Sequence, residues 1–412
     1  MNRLLSVVVF SISASLCPPP SAGEELILTL DQALALARER APTILAAKAR
    51  IPEAQGRLTG ATLFLQNNPV IETAAGRRRS TEVGHVDAAD VEVGISQAFE
   101  LGGRRSARVA GAEAGVAREV ASSDDTARLL LRDVSMAFAR TLHAKERQHL
   151  TARVEKIMAD TLQATEQRYQ TGDVSVLDVN VSRSAYARTR SDALSAEASY
   201  EAILGDLRTL LGISPESSLA TLGDLRTRRH HLLSDLLGHA MDRPDLRVLT
   251  AGIQEAQAEI RLGESFTWPD VSFGFRYHRE QATEHIVLGT ITFTLPVFAR
   301  GQELRATGAA RAQRLRQELD AGRHIVETEV RTAFVAYRRR SEAVEELERN
   351  ALPVLDDNAA LARRSYEVGR MSLAEFLVIQ REALDTRLVY LDRLLEVALA
   401  GIELEARAGV LQ

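Results

Sequence analysis

The sequence has little cysteine, few aromatic residues and little excess charge of either sign, and these shortages exclude several classes of protein. Its 412 residues include one cysteine, Cys17, which excludes a disulfide framework, a thiolate zinc site and iron–sulfur ligation. The formal net charge is −5, so there is no general basic field and nucleic acid is not an expected partner. Aromatic residues make up 5% of the chain, and alanine, leucine, arginine and glutamate dominate. That composition favours long helices.

Long apolar runs are also scarce. One run covers residues 4–16, follows Arg3 and precedes the small residues at 21–23. It is too short to span a bilayer as a helix, but it has the charged, apolar and small-residue parts of a secretory signal. We therefore expect residues 1–23 to be a signal peptide that is removed by cleavage after Gly23.

An alternative for this segment is a lipoprotein signal in which Cys17 is acylated. Leu16 stands directly before that cysteine, where such signals carry a small residue, so simple cleavage is the favoured interpretation. After the signal, no stretch approaches the roughly 18 apolar residues of a membrane-spanning helix. No transmembrane helix is therefore expected, and the mature chain is expected to leave the cytoplasm.

Three pairs of short sequence markers recur in the same order at a nearly constant offset. The pairs are 68–69 with 268–269, 99–103 with 297–301, and the Tyr-x-x-Gly sequences 169–172 with 366–369. Recurrence at offsets of 197 to 200 residues indicates a tandem duplication. We predict a first repeat at 24–221, a polar linker at 222–233 and a second repeat at 234–412.

Each repeat shows the same predicted order of elements: a helix, two strands, a long helix and a return helix. The strands are predicted within 67–100 and 268–297, the long helices at 103–171 and 301–368, and the return helices at 174–211 and 372–410. Asp31 and Ser234 are expected to cap the opening helices, which run to about Leu65 and Phe266. Pro353 predicts a kink or break in the second long helix.

The predicted strands alternate apolar and polar residues, as in Phe273-Gly274-Phe275-Arg276. Each is about ten residues long, which is the length of a transmembrane β-strand. Four strands cannot close a barrel, and open sheet edges are not stable in lipid, so other copies must complete the sheet. Three copies supply twelve strands. A helix of about seventy residues is a rod of about 100 Å, which is far longer than a bilayer needs.

These features resemble the TolC family of outer-membrane efflux channels, and the resemblance covers essentially the whole mature chain. The implied fold is mainly α with a small β part. A trimeric 12-stranded outer-membrane β-barrel, with four strands per chain, is continued by a long periplasmic α-helical coiled-coil barrel. Residues 99–105, Phe-Glu-Leu-Gly-Gly-Arg-Arg, are similar to the CzcC-like heavy-metal branch. The drug-efflux branch more often carries an Asp-Leu-Phe-Gly-Arg sequence here.

The resemblance implies a passive homotrimeric exit duct in the cell outer membrane, in contact with its lipid. An inner-membrane pump of the resistance-nodulation-division type would supply the energy, and a periplasmic adaptor (membrane fusion) protein would join pump and duct. Heavy-metal cations are the implied substrate. The alternatives are the same fold in drug efflux or type I protein secretion, and, less favoured, a periplasmic coiled-coil adaptor. No catalytic motif is present, so the chain is not expected to be an enzyme or to need a cofactor.

The two Tyr-x-x-Gly turns are the first candidate site. In the family they form the periplasmic tip that contacts the adaptor, and the matching residues are Arg168, Tyr169, Gly172, Tyr366 and Gly369. Ser365 stands where the first turn has Arg168, so the second turn lacks the arginine side chain of that contact. The alternative interpretation is a plain helix–helix turn with glycine as the left-handed C′ residue.

Two acidic residues just past the turns are the second candidate site. Glu375 matches the position of an acidic ring in the family, and Asp178 is its counterpart in the first repeat. With threefold symmetry, each would form a ring of three carboxylates that attracts cations and narrows or gates a pore. The alternative is a solvated charge that is stabilised by the dipole at a helix N-terminus.

The histidines do not predict a metal site. His230 and His231 are adjacent on the linker, with His239 nearby, but none of the nine histidines lies in a metal-ligand spacing with other histidines or carboxylates. A duct that passes its cargo onward is also not expected to bind it tightly.

Overall fold

The computed structural model describes residues 26–78, 88–280 and 284–411. The predicted signal peptide and the possible lipidation site Cys17 lie outside the described residues. The strands are β1 (Leu26–Leu28), β2 (Val70–Arg78), β3 (Ala88–Phe99), β4 (Leu219–Thr221), β5 (Asp270–Glu280) and β6 (Glu284–Thr294). The helices are α1 (Leu30–Arg40), α2 (Pro42–Thr62), α3 (Arg104–Gln170), α4 (Val176–Leu211), α5 (Leu233–Ala240), α6 (Pro244–Ser265), α7 (Gln302–Glu346), α8 (Leu352–Glu367) and α9 (Leu373–Ala408).

The first opening helix is two helices, contrary to the prediction of a single one capped by Asp31. Thr29 is the N-cap of α1, and it shares a capping box with Gln32: its N–H donates to Gln32 Oε1 at 2.9 Å. Asp31 lies inside the first turn. The helix is interrupted at Ala41, whose backbone is extended, because Pro42 disfavours helical geometry in the residue that precedes it.

The second opening helix is divided in the same way. The N-cap of α5 is Leu232, so Ser234 lies within the helix and the predicted cap is wrong. Arg243 precedes Pro244 with a ψ of 143°, outside the helical range, and separates α5 from α6. Its guanidinium is buried and binds Asp245 at 2.7 Å and the backbone carbonyl of Arg407 at 3.0 Å. This arginine therefore connects the start of α6 to the end of α9 through hydrogen bonds.

The second long helix is interrupted close to Pro353. A π-helical turn, Leu347–Ala351, separates α7 from α8, and Pro353 lies in the first turn of α8. Proline has no N–H to donate to the preceding turn, and the N–H of Leu352 bonds the carbonyl of Leu347, five residues back. The predicted helix 301–368 is thus two helices, and the interruption begins at Leu347, before the proline.

Four of the strands form one antiparallel sheet in the order β2-β3-β5-β6. Pairing of β3 with β5 joins the two predicted repeats. The helices adjoining these strands in the chain keep the same order, since α2 packs on α3, α3 on α6 and α6 on α7. In the part of the chain that the structure describes, β2 and β6 each have one neighbour, so both edges of this sheet are open.

The short strands β1 and β4 were not predicted. They pair in parallel, and they bring the start of the first repeat next to the linker. A core of Leu34, Ile44, Phe138, Leu207 and Leu394 lies beside them, between α1, α2, α3, α4 and α9. Within the described ranges, no helix has both the length and the apolar character needed to cross a membrane.

Candidate functional site: two hairpin turns and a two-faced sheet

The first Tyr-x-x-Gly turn ends α3 in a Schellman motif. Gly172 has a φ of 84°, which an L-residue with a side chain rarely adopts. The N–H of Asp173 donates to the carbonyl of Arg168 at 2.8 Å, and the N–H of Gly172 donates to the carbonyl of Tyr169 at 3.0 Å. These bonds satisfy carbonyls that the helix end would otherwise leave free.

The second turn repeats this geometry at the end of α8. Gly369 has a φ of 73°, Arg370 donates to the carbonyl of Ser365 at 2.8 Å, and Gly369 donates to that of Tyr366 at 3.0 Å. Position 365 therefore contributes a backbone carbonyl, which serine supplies as well as arginine does. The exchange of arginine for serine leaves the turn intact and changes only the side chain at its surface.

The two acidic residues each complete a capping box on the return helix. Ser175 donates its N–H to Asp178 Oδ2 at 3.0 Å and accepts from the N–H of Asp178 at 3.3 Å. Ser372 does the same with Glu375, at 3.0 Å and 3.3 Å. In both turns the serine follows the glycine by three residues and precedes the acid by three. Both carboxylates therefore have a local structural role, whatever their part in a pore.

Hydrogen bonding keeps both carboxylates ionised. Bonds from the hydroxyl and backbone N–H of Ser175 lower the pKa of Asp178 below its ordinary value, and Arg168 lowers it slightly further. Bonds from Ser372 lower the pKa of Glu375 in the same way. Glu375 is exposed and Asp178 is partly exposed, and both carry negative charge at neutral pH.

The two tyrosines of the turns occupy different environments. Tyr169 is 48% exposed, whereas Tyr366 is 8% exposed. The Tyr366 ring stacks on Phe376 at a centroid distance of 4.8 Å, and its hydroxyl lies 3.1 Å from Thr165 Oγ1. Tyr366 therefore joins α8 and α9 to α3 inside the chain, and Tyr169 is the tyrosine that presents its ring to solvent.

The histidines of the linker region have structural neighbours. His231 Nε2 lies 3.2 Å from Glu405 Oε1, and its ring packs edge-on against Tyr337. His239 Nδ1 lies 2.8 Å from the carbonyl of Asp235, one helical turn earlier. Across the described residues, no group of three or more histidine, cysteine, aspartate or glutamate side chains is arranged to hold a metal ion.

One face of the four-stranded sheet is apolar, and we call it the apolar face. Directly opposite residues in an antiparallel sheet point to the same side, so the register places the following side chains together: Ile71, Val93, Ile95, Phe273, Phe275, Val287, Ile291 and Phe293. Each is exposed in the single chain, and Phe275 is 70% exposed. An apolar surface of this kind requires a lipid or protein environment.

The opposite, polar face carries an ion-pair cluster that sequence reasoning missed. Arg276 Nε lies 2.7 Å from Glu92 Oε1, and Arg276 Nη2 lies 3.3 Å from Glu72 Oε2. His278 Nδ1 is 3.5 Å from the other oxygen of Glu92. The alternation in the sequence predicted that Arg276 and His278 share a face. Their glutamate partners depend on the register between β2, β3 and β5.

Known proteins resemble this chain over most of its length. The sequence pattern of the family described as outer membrane efflux protein matches residues 33–213 and 238–410. The cobalt-zinc-cadmium resistance protein CzcC of Cupriavidus metallidurans is 25% identical over 91% of this chain and 87% of its own length. The pyoverdine export outer membrane protein OpmQ of Pseudomonas putida is 26% identical over 85% of this chain and 79% of its own length.

A solved structure shares the fold. The crystal structure of the outer membrane protein VceC from Vibrio cholerae superposes with a TM-score of 0.73 at 17% identity, covering 92% of this chain and 96% of that one. The family resemblance inferred from the sequence is confirmed by the match to both halves of the chain. The protein therefore belongs to the outer membrane efflux protein family, whose members are efflux channels in the outer membrane with a periplasmic extension, and not enzymes.

Proposed function

We propose that three copies of this chain form a passive exit duct, with a 12-stranded barrel in the outer membrane and a helical tube in the periplasm. The observation that carries the proposal is the two-faced sheet. Its edges β2 and β6 are open, its apolar face is exposed, and its order continues into the helices α2-α3-α6-α7. Closing three such sheets edge to edge places the apolar faces in lipid and the polar faces around a pore.

We also propose that the chain arose by duplication, with repeats at 24–221 and 234–412 on either side of the linker 222–233. The left-handed glycines support this. Gly103 and Gly301 are the N-caps of α3 and α7, and Gly212 and Gly409 are the C-caps of α4 and α9. With the glycines of the two Tyr-x-x-Gly turns, they form three pairs at offsets of 197 or 198 residues.

The partners proposed for the duct are a periplasmic adaptor and an inner-membrane pump of the resistance-nodulation-division type. The adaptor would contact the tip at Arg168, Tyr169 and Gly172 and at the second turn around Gly369. Exposure of Tyr169 supports its part in such a contact. Tyr366 would act indirectly, by holding the two hairpins together, because its ring is buried.

The substrate proposed is a heavy-metal cation, since the CzcC relative is a cobalt-zinc-cadmium resistance protein. A second candidate is an organic compound, because the OpmQ relative has a similar sequence identity to this chain and is a pyoverdine export protein. Survival of a deletion strain with added cobalt, zinc or cadmium salts, or with drugs, separates the two. Sensitivity to metal salts that a plasmid copy reverses supports the first candidate, and sensitivity to drugs alone supports the second.

The duct itself is tested by the mass of the detergent-extracted protein from outer membranes, with and without heating. A species near three times the chain mass of 45.2 kDa, less the signal peptide, is expected before heating and the single chain after it. A water-soluble monomer or dimer would contradict the duct and favour the adaptor alternative.

A gate at the tip is proposed for Glu375, with Asp178 as its counterpart. Glutamine at position 375 also completes a capping box, so Glu375→Gln removes the charge and keeps the helix cap. We expect Glu375→Gln to change the conductance and cation preference of the reconstituted channel without lowering its thermal midpoint. Glu375→Ala removes both functions and should also lower that midpoint.

The same pair of variants distinguishes a gating role of the Glu375 carboxylate from its role in capping the helix. If Glu375→Gln conducts as the parent does and Glu375→Ala is merely less stable, the carboxylate is a helix cap and the gate proposal fails. The corresponding comparison of Asp178→Asn with Asp178→Ala applies to the first turn.

A further inference from the structure

The guanidinium of Arg276 lies across the polar face of the sheet, between two glutamates of neighbouring strands. Glu72 on β2, Gly94 on β3 and Arg276 on β5 form one row across the sheet. Glu92 lies in the next row and receives Nε of Arg276 at 2.7 Å, while Glu72 receives Nη2 at 3.3 Å. One arginine thus bridges carboxylates on two strands.

The backbone of β3 provides the space for this side chain. Gly94 has no side chain, and a Cβ placed there would lie 3.7 Å from Cγ and 3.8 Å from Nε of Arg276. The guanidinium stem therefore runs along the sheet over Gly94 and does not project straight away from it. On the wall of a pore, such an arrangement leaves the passage open and keeps the charge at the wall.

The charge on the polar face is unbalanced around this arginine. Among the described residues, the register assigns these carboxylates to the polar face of the strands: Glu72, Asp90, Glu92, Asp270, Glu280 and Glu284. Asp270 lies at the start of its strand and pairs with Arg104 of α3 at 2.6 Å. Against the remaining five, the register places on this face the arginine Arg276, the imidazole of His278 and, at the end of β2, Arg78. Arg276 therefore offsets part of a strong negative charge.

We propose that Arg276 limits the charge selectivity of the barrel, which passes small inorganic cations in preference to anions because carboxylates are in excess on its polar face. The proposal rests on the proposed trimeric duct, in which the polar face lines the pore and each group occurs three times around it. Carboxylates in excess raise the local concentration of cations, and three guanidinium groups limit that excess at one level of the pore. Arg276 would thus tune how strongly the barrel favours the cations that the CzcC relationship suggests.

The test is the reversal potential of the purified full-length protein in planar lipid bilayers under a potassium chloride gradient. All variants carry Glu375→Gln as well, so that the tip carboxylates do not dominate the measurement. Arg276→Gln removes three positive charges per trimer and should raise the cation-to-anion permeability ratio about twofold. Glu92→Gln removes three negative charges and should lower that ratio.

Two control variants accompany this measurement. Arg77→Gln makes the same change on the apolar side of β2, since Arg77 is opposite Ala89 in the register, and it should leave the ratio unchanged. Arg276→Lys keeps the charge and should also conduct as the parent does. A similar shift in Arg77→Gln would mean that the effect is not specific to the polar face, and would overturn the proposal.

The outcomes separate the two proposals. If the parent forms conducting trimers and neither Arg276→Gln nor Glu92→Gln changes the ratio, the role of Arg276 is overturned and the duct stands. If the parent forms neither trimers nor channels, the duct itself fails. If Arg276→Gln does not assemble, Glu92→Gln decides, because a lower cation preference supports the proposal and an unchanged one overturns it.

Discussion

At the scale of single residues, the two tip turns depend on three positions in each repeat. A glycine adopts the positive φ of the turn, which is 84° in the first turn and 73° in the second. A serine caps the helix that follows, and an acidic residue accepts a hydrogen bond from the backbone N–H of that serine. The tyrosine of the motif contributes its backbone carbonyl to the turn, so its side chain is free to take another role. That explains how Tyr169 and Tyr366 share one motif but differ in burial.

We expect Gly172→Ala to destabilise the chain by about 1 kcal/mol, because an L-residue is strained in the left-handed region. Nothing lies within 4 Å of a Cβ placed at Gly172, so the cost is conformational and not steric. The measurement is the thermal midpoint followed by far-ultraviolet circular dichroism.

The matched control for this prediction is Gly56→Ala in α2. It also meets nothing within 4 Å, but its backbone has an ordinary helical φ. This variant should be neutral or slightly stabilising, since alanine favours helix over glycine. Equal destabilisation by both variants would contradict the strained-turn explanation.

At the scale of elements, the π-helical turn between α7 and α8 is stabilised by a partly buried hydrogen-bond network. Glu348 lies in that turn, and its Oε1 accepts from Arg228 of the linker at 2.7 Å and from the hydroxyl of Tyr390 on α9 at 2.9 Å. Burial alone would raise the pKa of Glu348, but the hydrogen bonds from Arg228 and Tyr390 outweigh it and the pKa is lowered. The linker is therefore attached to the interruption in the helix.

We predict that Glu348→Gln lowers the free energy of unfolding by roughly 1–3 kcal/mol, because it removes the charge from a partly buried pair. The contribution of Glu348 to the free energy of unfolding should be complete at pH values above the ordinary carboxyl pKa of 4.5. It should be lost as the pH falls through the lower pKa of the folded state, because protonation then favours the unfolded chain. The difference between parent and variant is measured by thermal unfolding at neutral and acidic pH.

Glu346→Gln provides the comparison in the same segment. Glu346 is exposed and accepts a hydrogen bond from Asn350 at 2.6 Å, so its loss should change stability by less than about 0.5 kcal/mol. A difference between Glu348→Gln and the parent that stays constant with pH would argue against the charged network.

At the scale of the whole molecule, the sheet explains why one chain is incomplete. The apolar face and the open edges β2 and β6 are costly in water, and neither is covered within the described chain. Association of sheets edge to edge satisfies the backbone groups of the edges, and lipid covers the apolar face. The long helices then follow the same ring, because their order matches that of the strands.

We expect Phe275→Arg to prevent assembly in the outer membrane. Phe275 lies in the middle of β5 on the apolar face, where an arginine near the bilayer midplane costs about 2–4 kcal/mol. The readout is the amount of heat-sensitive trimer in the outer-membrane fraction.

Thr290→Arg is the control for the opposite face. Thr290 is opposite Gly274, one row from Phe275, and therefore lies on the polar side of the sheet. Facing an aqueous pore, an arginine there should leave trimer formation largely intact. Loss of trimer in Thr290→Arg but not in Phe275→Arg would reverse the assignment of the two faces.

Features that depend on neighbours along the chain follow directly from the order of the amino acids. Glycine, serine and acid at fixed spacing specify each turn, alternation specifies the two faces of a strand, and helix-forming residues specify the long helices. The divisions at Pro42 and Pro244 were also present in the sequence, but they were missed in favour of one continuous helix.

Contacts between distant elements, by contrast, depend on the three-dimensional fold. Pairing of β3 with β5, the partners of Arg276, the burial of Tyr366 and the contact of Arg228 with Glu348 each join residues far apart in sequence. Such contacts depend on register and packing between elements, which a local pattern does not specify. The turns could therefore be predicted from local hydrogen bonding, whereas the ion-pair cluster on the polar face of the sheet could be identified only from the fold.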